Sequence, residues 1–133
     1  MIYSVDVRIV APVRETEVPG RVIDAVHNLF PDAEVRREEG RIVAETHGLD
    51  RLSERLHEQE ILDSARREFQ RRADADGFSF ALKKQAAFEG VVNFAVGSPD
   101  ELGDIEVHVT VREPSVSAFI DHVAPRTEDG EPV

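Results

Sequence analysis

The chain has 133 residues, enough for one domain that buries roughly 65–70% of its unfolded surface, so a core needs neither disulfide nor structural metal. It has no cysteine, which excludes thiolate zinc sites, redox pairs and cysteine nucleophiles. Sixteen basic residues against 27 acidic ones give a net charge of −11, and only two of the sixteen, Lys83 and Lys84, are lysines.

The first element is a strand. Tyr3, Val5, Val7 and Ile9 alternate with Ser4, Asp6 and Arg8, the period of a half-buried strand, and Pro12 ends it. Pro19-Gly20 opens a helix through Phe30, with Ile23, Val26, His27 and Phe30 on one face, and Pro31 stops it. Residues 34–47 read as a hairpin turning at Glu38-Glu39-Gly40. Residues 49–74 are helical in composition, but Leu49, Leu52 and Leu56 lie nearly opposite Leu62, Ala65 and Phe69 on a continuous helix. That phase change predicts a break near His57–Glu60, and the opposed apolar faces predict a homodimer that buries the surplus. Phe78, Phe80 and Leu82 mark a strand running on through Ala87, and Val91–Val96 a further one, followed by a loop at Gly97-Ser98-Pro99-Asp100. Ile105, Val107, Val109 and Val111 alternate with Glu106, His108, Thr110 and Arg112 as the clearest strand, which Pro114 ends. Ser115 or Ser117 caps a last short helix carrying Val116, Phe119, Ile120 and Val123. The expected organisation is one domain over residues 1–124 and a disordered acidic tail over 125–133. Strands and helices do not strictly alternate, so the expected class is α+β, a largely antiparallel sheet with helices packed on one face.

Three stretches carry a family resemblance. They are Gln59-Glu60-Ile61-Leu62-Asp63-Ser64-Ala65-Arg66, then Phe80-Ala81-Leu82-Lys83-Lys84-Gln85-Ala86-Ala87-Phe88-Glu89-Gly90 with Asn93-Phe94, then Leu102-Gly103-Asp104-Ile105-Glu106-Val107. In this order and spacing the chain resembles archaeal uncharacterised protein family 201. The resemblance implies a fold similar to large-subunit ribosomal protein five, and with it RNA binding by analogy of fold. It implies no catalytic residue. The family pattern commonly places a lysine after the glycine, where this chain has Val91.

Many carboxylates with few lysines suit a proteome adapted to molar salt, a halophilic setting in which the Debye length falls to roughly 3 Å. Phosphate contacts that work by counterion release lose most of their strength there. Candidates for RNA are Arg66, Arg67, Arg71 and Arg72 on the helix and Lys83, Lys84 and Gln85 on the strand, with Arg36, Arg37 and Arg41 at the hairpin. Acidic neighbours interleave them, and Tyr3, Phe30, Phe78, Phe80 and Phe119 fall on apolar faces, so the expected surface is a poor one for RNA. Asp24 with His27, and Glu54 with His57, stand one helical turn apart, a spacing that chelates metal only when two helices face each other. No nucleophile elbow and no phosphate-cradling glycine loop occurs. The expectation is a non-enzymatic, dimeric protein without a cofactor, with RNA binding as the alternative and a small-molecule or metal-dependent enzyme as the third. The N-terminus has no basic stretch leading into an apolar run, and no run approaches the roughly 20 apolar residues of a membrane span, so the expected compartment is the cytoplasm.

Overall fold

The alternation at the start of the chain becomes the centre of a sheet. In the computed structural model, which describes residues 2–97, 103–128 and 131–132, β1 (Ser4–Pro12) buries Val5, Val7, Ile9 and Ala11 and turns Asp6, Arg8 and Val10 to the other face. Burying each such side chain contributes about 1.5–3 kcal/mol for the larger ones, against the entropy of ordering the strand. α1 (Pro19–Leu29) follows, with Pro19 in its first turn, where a missing N–H costs nothing. Its buried stripe is Val22, Ala25, Val26 and Leu29, rotated from the expected one; Ile23 and His27 lie at its margin, and His27 Nε2 is 3.0 Å from the Ala33 carbonyl.

β2 (Glu34–Glu38) and β3 (Arg41–Thr46) form the hairpin, with Gly40 at φ 75° in the turn. The long helical region then breaks as its phase requires, into α2 (Asp50–Glu58) and α3 (Leu62–Arg71). The break has the hydrogen bonds of a Schellman motif: Glu60 N–H donates to His57 O and Ile61 N–H to Leu56 O, with Glu60 at φ 56°. The turn re-aims α3, so Leu49, Leu52 and Leu56 join Leu62, Ala65 and Phe69 in one core. The apolar surplus from which a homodimer was expected is therefore buried within a single chain.

β4 (Gly77–Lys83) does not run on to Ala87. The chain turns at Lys83 into α4 (Lys84–Phe88), whose last carbonyls at Ala87 and Phe88 accept from Asn28 Nδ2 of α1. Residues 91–96 make a single bridge, Phe94 with Leu82, rather than a strand. Gln59 explains the difference, because its side-chain amide donates to Val92 O at 2.9 Å and accepts from Val92 N at 2.8 Å, taking both groups a ladder would use. The loop expected at 97–100 lies outside the described residues beyond Gly97. β5 (Asp104–Glu113) and α5 (Val116–Val123) follow, with Ser115 Oγ accepting from Ala118 N at 3.1 Å. In the stretch expected to be a disordered tail, β6 (Thr127–Glu128) pairs with β7 (Glu131–Pro132), and Thr127 Oγ1 donates to Asp63.

The sheet order is β2-β3-β1-β5-β4, with every pairing antiparallel. The described helices and most of the buried strand residues share one core on one side of the sheet, while Val43 and Ala81 are buried on the other side. This is the α+β architecture expected. Among the described residues no helix is long and apolar enough to cross a membrane.

Candidate nucleic-acid interface

The core helices take one face of the sheet; the other is open at the row through Arg8 and His108 and closed at Val43 and Ala81, and register decides what stands on it. Cross-strand partners share a face, so Ser79, His108, Arg8, Glu45 and Glu34 form one row across five strands. Ala81, Glu106, Val10, Val43 and Arg36 form the next. Thr110 and Asp6 pair beyond the first row, with Arg112 near them.

Most charges on this face neutralise one another. Glu38 accepts from Arg36 at 2.9 Å and from Arg41 at 2.7 Å, and those hydrogen bonds hold its carboxyl below the ordinary glutamate range. Asp6 takes both Arg112 Nη atoms and faces His47 Nδ1 at 3.1 Å. Arg8 is one of the exceptions, with Glu34 and Glu106 in the same rows and Lys83 at the edge: it is exposed at the centre of the sheet and, among the described residues, its side chain makes no ion pair or hydrogen bond. Beside it, a shallow hollow of about 240 Å³ is lined by Arg72, Asp74, Asp76, Ser79, His108 and Thr110. Asp74 Oδ1 is occupied by the Asp76 and Gly77 amides, at 2.8 and 3.0 Å.

The candidates for RNA on the helix and around the dilysine do not form one patch. Arg66, Arg67, Arg71 and Arg72 lie on α3 or its C-cap, which leads to the Gly77 end of β4. Lys83, Lys84 and Gln85 lie at the other end, roughly 20 Å away along the strand. Arg66 is turned inward, 2.6 Å from Asp121 and 3.1 Å from the Ala124 carbonyl. Lys84 is 1% exposed; its ammonium donates to Pro12 O and lies 2.9 Å from Glu17 Oε1. Arg67, Arg71, Arg72 and Gln85 are exposed, and Arg71 is 3.7 Å from Glu68. Lys83 is half-buried on the open face, opposite Asp104. Sequence reasoning did not single out Arg8 and His108 for a site. The strand period places each on the outer face, but only the pairing of β1 with β5 makes them neighbours.

The two acid–histidine pairs serve local structure. Asp24 and His27 are on α1, Glu54 and His57 on α2, and His57 Nδ1 is 2.9 Å from the Ser53 carbonyl. Among the described residues, no three histidine or acidic side chains gather as metal ligands.

A family model described as RNA binding matches residues 6–112 of this chain. A protein of Archaeoglobus fulgidus called UPF0200/UPF0201 protein is 36% identical over 134 residues; the match covers 98% of this chain and 40% of that protein, which is the longer. A UPF0201 protein of Methanopyrus kandleri is 40% identical over 133 residues, covering 89% of this chain and 83% of its own length. The crystal structure of a UPF0201 protein from Methanococcus jannaschii matches with a TM-score of 0.90 at 33% identity, over 96% of this chain and 98% of that one.

Proposed function

The chain belongs to the UPF0201 family, and from that premise we propose that it is a non-enzymatic RNA-binding protein that meets its ligand with the open face of the sheet. The observation that carries the reading is Arg8, an exposed guanidinium at the centre of the sheet that has no partner among the described residues, on a face where Arg36, Arg41 and Arg112 are paired with carboxylates. Guanidinium is suited to the purpose, since it offers donors in a rigid fork that fits phosphate and base edges. Arg72 and Lys83, at the margins of the same face, join it in the proposal; Lys84 and Arg66 are engaged inside the fold and do not. The likeness to ribosomal protein five belongs to this reading, as the fold-level analogy behind it.

The mode of binding follows from the charge balance. With a net charge of −11 and Arg36, Arg41 and Arg112 already paired, few cations remain for phosphate. Hydrogen bonding and shape then carry affinity, which suits a protein working in molar salt. Only one or two phosphate contacts are expected, so log K falls against log salt with a slope of about −1 to −2, where a strongly basic binder shows about −10. Fluorescence anisotropy with a labelled hairpin RNA checks this. Replacing Arg8 by alanine weakens binding by about tenfold or more, the loss of a charge-assisted hydrogen bond, and leaves thermal stability unchanged because the residue is exposed and has no partner among the described residues. Wild-type affinity in Arg8→Ala would remove the open face from the account.

A further inference from the structure

We infer that the preferred ligand is double-helical RNA rather than a single strand, an inference that rests on the reading above. It starts from where the aromatic side chains went. The chain has seven phenylalanines, one tyrosine and no tryptophan. Phe30, Phe69, Phe78, Phe80 and Phe119 are buried in the core, and Tyr3, Phe88 and Phe94 are half-buried and packed against it. Tyr3 stacks on His122 with ring centroids 4.3 Å apart, and Phe94 meets Phe69 and Phe80 at 5.9 Å. None stands on the open face. Single-stranded nucleic acid is held chiefly by stacking its bases on aromatic rings, worth about 1–3 kcal/mol per base. In this protein each such ring is buried in the core or packed half-buried against it.

What the open face offers over β4 and β5 is mainly hydrogen-bonding, with Glu106 and Glu45 beside it. Ser79, His108 and Arg8 run in register across β4, β5 and β1, a width of roughly 10 Å, with Thr110 along β5 from His108. Asp74 and Asp76 line the adjoining hollow beside Arg72. Carboxylates repel phosphate but accept from hydroxyls, and serine and threonine hydroxyls both donate and accept. That is chemistry for the sugar edge. The wide, shallow minor groove of an A-form duplex displays its 2′-hydroxyls on a surface that a sheet face can approach, with the phosphates left to Arg8 and Arg72. DNA has no such hydroxyl to offer.

The test compares four labelled probes of one sequence at one salt concentration: an RNA duplex of about 16 base pairs, the matching DNA duplex, and the RNA and DNA single strands. The duplex RNA is expected to bind tighter than each of the others by about tenfold or more, the effect of one or two hydrogen bonds. The double variant Ser79→Ala, Thr110→Ala narrows the gap between RNA and DNA duplexes, whereas Arg8→Ala weakens both. Single-stranded RNA binding as tightly as the duplex, or duplex DNA as tightly as duplex RNA, overturns the inference and leaves the RNA-binding reading standing. Absence of binding to all four probes overturns both.

Discussion

Replacing Lys84 by alanine is expected to destabilise the fold by about 3–5 kcal/mol, the cost of breaking a buried ion pair from one side. The Lys84 side chain is 0% exposed and that of Glu17 8%. Glu17 Oε1 accepts from Lys84 Nζ and from the Arg14 amide, both at 2.9 Å, while Glu17 Oε2 is buried with no partner. Without the ammonium the carboxylate remains in the interior with one amide for compensation. The pair also ties the loop after β1 to the start of α4, so its loss loosens two segments far apart in sequence. In a domain of this size the expected fall in Tm is roughly 10–20 °C, read by circular dichroism. The double variant Lys84→Met, Glu17→Gln recovers much of the loss, since replacing both partners strands no charge. If Lys84 instead served RNA from the surface, as its place beside Lys83 suggests in the sequence, Lys84→Ala would keep its Tm and lose affinity.

Phe69→Ala is the second large effect, also about 3–5 kcal/mol, because the ring is large and fully buried. Phe69 packs against Phe78 at 5.0 Å, Phe80 at 4.8 Å and Phe94 at 5.9 Å between centroids. It joins α3 to β4 and to the segment that bridges the edge of β4. Rigid aromatic neighbours on three sides collapse poorly into the cavity, which puts the cost toward the upper end. Urea denaturation should show a lower midpoint with little change in slope. Affinity of the folded fraction for RNA should not change, because no aromatic ring contributes to the proposed surface. A loss of affinity at preserved stability would mean that aromatic rings reach the ligand after all.

Much of this fold is legible in the chain because its strands obey a strict period of two. The alternations at Tyr3–Ile9 and Ile105–Val111 place β1 and β5 and sort their side chains between core and open face. The change of helical phase between Leu56 and Leu62 is legible too, although no glycine or proline marks it; Glu60 takes the positive φ that a glycine would usually occupy. Three features needed tertiary partners. Lys84 reads as half of a surface dilysine, and only the carboxylate of Glu17, 67 positions away, makes its burial possible. Residues 91–96 have the composition of a strand, and the amide of Gln59 diverts them. The candidate site was the least legible part. Single residues on β1, β4 and β5 become one surface only through register, and a scan for clusters along the sequence finds α3 and the dilysine instead.

The central claim is that RNA meets the uncovered face of the sheet. The most direct test is a two-dimensional amide NMR titration of the full chain with duplex RNA. The expected result is a set of perturbations centred on Arg8, Ser79, His108 and Thr110, fading toward the helical side. Perturbations confined to α1 and α4, with the open face unmoved, would contradict the account.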